Sequence, residues 1–270
     1  MSDPLGLIDD WPVSHAAAAV AVAGNVTGAA HGPGERTFEL ASVTKLLTAL
    51  AVLVAVEEGT VGLDDRAGPP GSTVRHLLAH ASGLGPGGET LTSPGRRRVY
   101  SNAGFETLAG CLEEASGLPW TAYATEAVLA PLGMDATSLG ASGASGAEGT
   151  AGDLARLGAE LLSPTLLARR TLSLATAVAF PGLAGVLPGF GRCDPNDWGL
   201  GFELRGDKSP HWTGGRNSPA TFGHFGQAGG FLWVDPAAGV SLACLTDRDF
   251  GPWAAEAWPA LSDAVLGAYG

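Results

Sequence analysis

Cysteine is rare in this sequence, and no segment of it is typical of an export signal or a membrane span. The three cysteines form no C-x-x-C pair, and one is left over in any disulfide scheme. We therefore expect reduced, buried thiols and a reducing compartment. The N-terminus has neither a basic region nor an apolar region, so no signal peptide is expected. The longest apolar stretch, Leu46 to Val56, is too short to cross a bilayer, and the sequence predicts a cytoplasmic protein with no membrane partner.

Positive charge is scarce as well. The chain has 15 Lys and Arg against 27 Asp and Glu, and lysine occurs only at positions 45 and 208. A formal net charge of −12 argues against a nucleic-acid partner, because phosphate binding needs clustered cations. The one basic run is Arg96–Arg98. We interpret it as a solvated loop or a helix start, and the alternative is that it steers an anionic substrate.

The apolar residues follow a strand period at both ends of the chain and a helix period in the middle. The predicted order is a β-hairpin over 16–32, a short strand over 35–40, a helix that begins at Ser42, mostly helical segments from 72 to 172 that include a helix over 102–116, strands over 198–204, 221–224, 230–234 and 240–246, and a final helix over 252–268. The simplest architecture is an α/β (α+β) fold in which both chain ends build one antiparallel sheet flanked by helices. We expect residues 1–70 and 173–270 to form this sheet lobe. Residues 71–172 form an inserted all-helical lobe, with the Gly/Ala/Ser run at 140–149 as a flexible connection.

Ser42 and Lys45 are the first candidates for chemistry. Three residues apart on one helix, the two side chains lie on the same face within reach of each other. A serine hydroxyl is a weak nucleophile until a base takes its proton, and a partly buried lysine loses proton affinity and becomes such a base. The unpaired N–H groups of a first helical turn stabilise a developing oxyanion. The alternative is that Ser42 is a helix cap and Lys45 a solvated side chain.

Tyr100 and Asn102 form the second candidate motif, Tyr-x-Asn. A phenol beside the lysine relays a proton to the leaving group, and an Asn amide holds an acyl carbonyl or the lysine ammonium. In the alternative interpretation the segment is a loop in which Asn102 caps the next helix.

His224, Gly226 and Gln227 form the third motif, placed between two predicted strands. A glycine at a strand edge lets a ligand lie against the backbone, and the N–H that follows it is free to donate to an oxyanion. The alternative for His224 is a structural histidine.

These motifs, in this order along the chain, resemble the serine β-lactamase and penicillin-binding protein superfamily. The similarity is greatest to the branch of class C β-lactamases, D-stereospecific peptidases and family VIII esterases. The segments that support it are FELASVTKLLTALAVLVAVEEGTVG (38–62), TVRHLLAHASGL (73–84), VYSNAGFETLAGCLEEASG (99–117), PLGM (131–134) and WGLGF (198–202). Residues 140–195 match only loosely, and the chain is short for the branch.

The resemblance implies a β-lactamase/transpeptidase-like fold of two lobes, with the site in the cleft between them. It also implies that Ser42 is acylated, that Lys45 and Tyr100 share the proton transfers, and that Asn102 orients the acyl group. The two oxyanion donors would be the backbone N–H groups of Ser42 and Gln227. His224 would occupy the position that many β-lactamases fill with lysine.

Phe225 departs from the pattern of this family. β-Lactamases and transpeptidases usually have a hydroxyl residue between that cation and the glycine, where it helps to bind the substrate carboxylate. A neutral His224 beside a phenyl ring is poorly suited to that carboxylate. We therefore expect a serine hydrolase that acts through an acyl-enzyme on small neutral esters or amides. The alternatives are a β-lactamase or D-amino-acid peptidase, an acyltransferase, and an acyl-binding sensor that does not turn over.

The remaining candidates carry weaker signals. His76 and His80, four apart on a helix, have metal-ligand spacing, but the sequence offers no third ligand, and we expect neither a metal nor a cofactor. Trp212 precedes the His224 strand and is a candidate for lining the acyl pocket. The short inserted lobe predicts an open cleft. The sequence does not specify the oligomeric state, the natural substrate or its stereochemistry.

Overall fold

The two ends of the chain meet in one antiparallel sheet. The computed structural model describes residues 3–270. The strands are β1 (Ala16–Val22), β2 (Asn25–His31), β3 (Phe38–Glu39), β4 (Ser138–Leu139), β5 (Ala147–Gly149), β6 (Gly185–Leu187), β7 (Gly191–Cys193), β8 (Glu203–Leu204), β9 (Phe222–Phe225), β10 (Phe231–Asp235) and β11 (Val240–Thr246). Six of them form the main sheet in the order β2-β1-β11-β10-β9-β8. β1 pairs with β11 over its whole length, which confirms the predicted sheet built from both chain ends.

The helices cover the sheet and fill the middle of the chain. They are α1 (Thr44–Glu58), α2 (Val74–Leu78), α3 (Asn102–Ser116), α4 (Trp120–Ala124), which continues as a π-helical turn (Thr125–Leu129) into α5 (Ala130–Leu132), α6 (Ala151–Leu162), α7 (Arg169–Ala175) and α8 (Pro252–Tyr269). Nearly all of α1 is buried in the core, which explains its continuous apolar sequence. α3 has the predicted bounds because Ser101 caps its start and Gly117, in the left-handed region, ends it.

Helix α6 lies on the main sheet, although it falls in the range predicted for the inserted lobe. It packs against β1, β10 and β11. Small residues allow the contact: a Cβ atom at Gly158 would lie 2.3 Å from Ser241 Oγ, so only glycine admits the strand at this distance. The alanine-rich face of β1 lies beneath the same helix. A helix from the middle of the sequence therefore packs on the main sheet.

The inserted region also differs from an all-helical lobe, because the run at 140–149 is a structured loop rather than a flexible connection. β5 pairs with both β3 and β4 in a second, three-stranded sheet. The Thr48 hydroxyl donates a hydrogen bond to Gly143 O at 2.6 Å. A Cβ atom at Gly143 would lie 2.8 Å from Ala109 Cβ. The small side chains thus let this loop lie directly against α1 and α3.

Other expectations hold only in part. Of the strand predicted over 198–204, only β8 forms, because Gly201 bends the chain with a φ of +92° to bring it against α1. Cys244 is buried, whereas Cys111 and Cys193 are partly exposed; all three are free thiols. Within residues 3–270, none of the helices combines the length and the apolar character that crossing a bilayer requires.

Candidate active site

Ser42 lies in a short 3₁₀ turn, Ala41–Val43, that leads into α1. Its neighbour Ala41 has a φ of +43°, which is unusual for a residue with a side chain and is typical of strained functional turns. The end of β9 packs against this turn. A Cβ atom at Gly226 would lie 2.5 Å from Leu40 O and 3.3 Å from Ser42 N, so the position requires glycine. The Ser-x-x-Lys motif and the His224-to-Gln227 motif therefore meet at the 3₁₀ turn that carries Ser42.

The Ser42 hydroxyl contacts two proton-bearing groups. Lys45 Nζ lies 3.2 Å from Ser42 Oγ, and the Tyr100 hydroxyl donates to the same oxygen at 2.8 Å. Lys45 also lies over the Tyr100 ring, with 4.9 Å between Nζ and the ring centroid. The structure thus joins the Ser-x-x-Lys and Tyr-x-Asn motifs around one oxygen atom.

Lys45 is fully buried, with 0% of its surface exposed. Its ammonium group donates to Asn102 Oδ1 at 2.7 Å and to Ala144 O at 2.8 Å. Burial lowers the pKa of Lys45 to about 7, an effect that the carboxylate of Glu106 partly opposes. Near neutral pH, a substantial fraction of this lysine therefore has a lone pair with which to accept a proton.

The sequence did not reveal two supports of Lys45, the carbonyl of Ala144 and the carboxylate of Glu106. Glu106 accepts hydrogen bonds from the Ser142 hydroxyl and from Gly143 N, and it thereby holds the loop that presents Ala144 O. Asn102 and Glu106 are four residues apart on α3, so they share a face of the helix. That spacing was the available signal for Glu106, whereas a backbone carbonyl leaves none. Because Ser101 and not Asn102 caps α3, the Asn102 side chain is free to contact Lys45.

Tyr100 is held by the buried ring of His80. The ring centroids of the two residues are 4.6 Å apart, and His80 Nδ1 accepts a hydrogen bond from Ser101 N. Burial raises the pKa of the Tyr100 phenol, which therefore keeps its proton at neutral pH. His76 stacks instead on Phe180. In the part of the chain that the structure describes, no three His, Cys, Asp or Glu side chains are grouped so as to hold a metal ion.

His224 is a buried, neutral histidine on β9. Burial, followed by the nearby charge of Lys45, lowers its pKa to about 3. Its Nδ1 lies 2.7 Å from Phe225 O, and because a carbonyl only accepts, Nδ1 carries the proton. The His224 ring lies 5.9 Å from the Tyr100 ring, measured between centroids. His224 therefore faces the site without a positive charge.

The backbone after Gly226 has a free donor. Gly226 N donates to Gly230 O at 2.8 Å, and Gly229 N donates to Gly226 O at 3.1 Å. Among the hydrogen bonds described for residues 3–270, the N–H of Gln227 has no acceptor. Gln227 directly follows Gly226, the residue that packs on the turn carrying Ser42.

These groups line a small pocket of about 190 Å³. Its walls are Ser42, Tyr100, Asn102, Leu187, Pro188, Trp198, Glu203, His224, Phe225 and Gln227. The pocket has mainly aromatic and aliphatic walls, and the open cleft stays a prediction. Phe225 is fixed there by Phe250, whose ring centroid lies 5.0 Å away. Trp212, a candidate for lining the acyl pocket, is not among these walls.

Trp212 belongs instead to a buried network around Glu203, which the sequence did not reveal. Its indole Nε1 donates to Glu203 Oε2 at 3.1 Å, His211 Nε2 lies 2.9 Å from the same oxygen, and Lys208 donates to Glu203 Oε1. Burial alone would raise the pKa of the Glu203 carboxyl, but His211 and Lys208 outweigh burial and lower it to about 2. One wall of the pocket therefore contains an ionised carboxylate that is paired with the buried ammonium of Lys208.

Comparisons with known proteins show the family to which the chain is similar. A family model described as Beta-lactamase matches residues 13–266. A crystal structure described as a β-lactamase from Mycobacterium bovis is 56% identical, with a TM-score of 0.97 over 98% of this chain and 99% of that one.

Two curated relatives match a shorter segment. Penicillin-binding protein 4* of Bacillus subtilis is 31% identical over 37% of this chain and 30% of its own length. The D-alanyl-D-alanine-carboxypeptidase/endopeptidase AmpH of Escherichia coli is 31% identical over 37% of this chain and 36% of its own length. The match thus spans about a third of each curated relative.

Proposed function

The chain belongs to the β-lactamase family, and on that premise we propose that it is a serine hydrolase that cleaves small, neutral esters or amides through an acyl-enzyme. One observation carries the proposal: Ser42 Oγ lies in a pocket within 3.2 Å of Lys45 Nζ and 2.8 Å of the Tyr100 hydroxyl. A nucleophile, a base of matched pKa and a phenol that keeps its proton thus lie around one oxygen atom.

Acylation begins with the neutral form of Lys45. Ser42 Oγ attacks the substrate carbonyl carbon while its proton passes to Lys45 Nζ. The negative charge that develops on the carbonyl oxygen is stabilised by the backbone N–H groups of Ser42 and Gln227. Tyr100 then donates its proton to the leaving oxygen or nitrogen and recovers a proton from Lys45, so that alcohol or amine departs and Ser42 is esterified.

Deacylation repeats these steps with water as the nucleophile. A water molecule gives a proton to the Lys45 and Tyr100 pair as it attacks the acyl carbon, and Ser42 Oγ recovers a proton when the acid leaves. Asn102 serves both halves of the reaction: its Oδ1 orients Lys45, and its amide hydrogens remain available to the acyl carbonyl.

The preference for neutral substrates rests on the walls of the pocket. Phe225 contributes a phenyl ring, and His224 is uncharged at neutral pH because its pKa is about 3. Glu203 lines the same cavity, but its carboxylate is already paired with Lys208. A substrate carboxylate placed against these three side chains would therefore lose its hydration without gaining a cation as partner. The volume of about 190 Å³ favours a short acyl chain.

Other acyl-transfer activities remain distinct proposals. Similarity to the Mycobacterium bovis β-lactamase favours β-lactam hydrolysis, and similarity to the carboxypeptidase/endopeptidase AmpH favours peptides that end in D-alanine. An acyltransferase is distinguished by a rate that rises with added alcohol or amine. A non-turnover sensor is distinguished by a burst of one equivalent of product with no steady state.

The test is hydrolysis of p-nitrophenyl acetate and of the β-lactam nitrocefin by wild type and by the Ser42→Ala variant. Ser138→Ala, at an exposed serine of β4, is the matched control. We expect ester turnover in wild type and in Ser138→Ala, its loss in Ser42→Ala, and a much lower kcat/KM for nitrocefin. Full activity in Ser42→Ala would overturn the proposal, and faster turnover of nitrocefin would overturn the substrate preference.

A further inference from the structure

A second groove, with a volume of about 640 Å³, adjoins the candidate active site. Tyr100 and Pro188 line both the groove and the catalytic pocket. The two cavities therefore adjoin at Tyr100 and Pro188. The groove is the space that lies next to the pocket on its Tyr100 side.

The groove concentrates positive charge in an acidic protein. Four arginines line it, Arg96, Arg97, Arg98 and Arg192, and none of the lining residues is acidic. Arg192 pairs with Asp194 at 3.1 Å. Arg96 and Arg97 are exposed and have no carboxylate within 4.0 Å among the salt bridges described for residues 3–270. Two guanidinium groups are thus available to an anion, against a net charge of −12 for the whole chain.

Arg98 fixes the position of these two arginines. Its buried guanidinium donates to Ala79 O at 2.7 Å and to Asn196 O at 3.1 Å. Its backbone bridges to Gly185, where a Cβ atom would lie 2.5 Å from Arg98 Cβ. The segment that carries Arg96 and Arg97 is therefore tied to the opposite wall of the groove. Because backbone carbonyls occupy the guanidinium of Arg98, an anion in the groove would be bound by Arg96 and Arg97.

We infer that this arginine groove binds a carboxylate on the leaving group of the substrate. The inference rests on the proposed function, because it uses the role of Tyr100 as proton donor to the leaving group, which places that group on the Tyr100 side of Ser42. The acyl group then occupies the pocket beside Glu203 and Phe225. A carboxylate on the acyl group would lie in the pocket and weaken substrate binding. A carboxylate on the leaving group would lie in the groove and strengthen substrate binding.

Four phenyl esters separate these effects. Phenyl acetate is neutral, 3-carboxyphenyl acetate carries the charge on the leaving group, and monophenyl adipate, compared with phenyl hexanoate, carries it on the acyl group. We compare kcat/KM for each ester after division by its uncatalysed hydrolysis rate. Wild type should prefer 3-carboxyphenyl acetate to phenyl acetate by roughly fivefold to tenfold, the scale of two exposed charge contacts, and should disfavour monophenyl adipate. In about 1 M salt the preference should largely vanish, because the Debye length falls to about 3 Å.

The double variant Arg96→Gln/Arg97→Gln tests the residues. Its matched control is Arg169→Gln/Arg170→Gln, which removes the same charge from an exposed arginine pair on α7 outside the groove. The groove variant should lose the preference and keep wild-type kcat/KM for phenyl acetate, whereas the control should keep both. Calorimetric titration with 3-hydroxybenzoate, the released product, should show weaker binding to the groove variant alone.

The outcomes distinguish this inference from the function on which it rests. Ser42-dependent hydrolysis of phenyl acetate, with the same preference in both double variants or none in wild type, overturns the groove proposal and leaves the proposed function standing. If Ser42→Ala hydrolyses phenyl acetate as wild type does, the proposed function fails and the groove proposal fails with it.

Discussion

Lys45 is fully buried, and its Nζ atom has three hydrogen-bond acceptors. The acceptors are Ser42 Oγ, Asn102 Oδ1 and Ala144 O. Burial disfavours the ammonium and brings its pKa to about 7, while the acceptors keep the side chain in place in either protonation state. A base is thus obtained from a residue that is normally charged throughout the physiological range.

The pH dependence of catalysis follows from this pKa. Lys45 is active when neutral, so kcat/KM should rise with pH through a midpoint near pH 7. No fall is expected up to about pH 9, because the raised pKa of Tyr100 keeps the phenol protonated and His224, with a pKa of about 3, does not titrate there. A pH–rate profile of a neutral ester measures this directly. A bell-shaped curve centred near pH 7 would contradict it.

Glu106 should set the position of that midpoint. Its negative charge raises the pKa of Lys45, so Glu106→Gln should shift the midpoint to lower pH. Glu114→Gln, at an exposed position of the same helix, is the control and should leave the midpoint in place. A midpoint that stays fixed or moves upward in Glu106→Gln would show that the carboxylate acts on the loop at 142–144 alone.

Glu203 should contribute to acid stability. Its folded pKa of about 2 lies below its ordinary value of 4.5, so the contribution is complete above pH 4.5 and is lost as pH falls towards 2. Glu203→Gln should remove that part of the pH dependence. It should also lower the free energy of unfolding at pH 7 by about 3 kcal/mol, because Lys208 stays buried without its partner. Urea titrations at pH 7 and pH 3.5 test both points, and equal losses at the two pH values would refute the linkage.

At the scale of elements, the candidate site lies where the end of strand β9 contacts the turn that leads into helix α1. β9 ends at Phe225, and the next residue, Gly226, packs on the turn that carries Ser42. That contact brings the turn containing the free Gln227 N–H up to the turn that carries Ser42. The absence of a side chain at Gly226 thus sets the distance between the two N–H groups that we propose as oxyanion donors.

Gly226→Ala should separate these elements. The added Cβ would lie 2.5 Å from Leu40 O, a backbone atom that has little room to move, so the strand end and the turn that carries Ser42 must part. Because an oxyanion donor contributes about 10²- to 10³-fold to kcat, we expect a loss of that order with KM changed much less. Gly34→Ala, at an exposed loop position without a positive φ and with no atom within 4 Å of the new Cβ, controls for the general effect of the substitution. Unchanged kcat in Gly226→Ala would exclude Gln227 N–H as a donor.

At the scale of the whole molecule, the sequence predicted what local pattern encodes. The hairpin of β1 and β2, the bounds of α3 and the strands β9 to β11 follow from periodicity, caps and turn residues. The residues that the structure gathers around Ser42 were also recognisable as motifs. Where the chain departs from expectation, as at α6 and the loop at 140–149, glycine and alanine allow close packing with distant segments, which no local pattern records.

The parts of the site that the sequence did not predict are also long-range. Ala144 O reaches Lys45 across 99 residues of chain, and the Glu203 network forms beside a pocket whose other walls come from five separate segments. The narrow pocket arises in the same way, because its size depends on how Leu187, Trp198 and Phe225 converge. The residues that carry out chemistry can therefore be recognised in the sequence. The shape of the pocket and its electrostatic environment can be read only from the folded structure.

The central claim is that Ser42 becomes covalently acylated during turnover. Wild type mixed with p-nitrophenyl acetate, quenched in acid during the steady state and mapped by peptide mass spectrometry, tests it most directly. The account predicts one acetyl group on Ser42, absent from Ser42→Ala and from wild type sampled after the substrate is exhausted. An unmodified Ser42 peptide during active turnover, with the burst phase also absent, or an acetyl group on another residue that decays at the turnover rate, would contradict it.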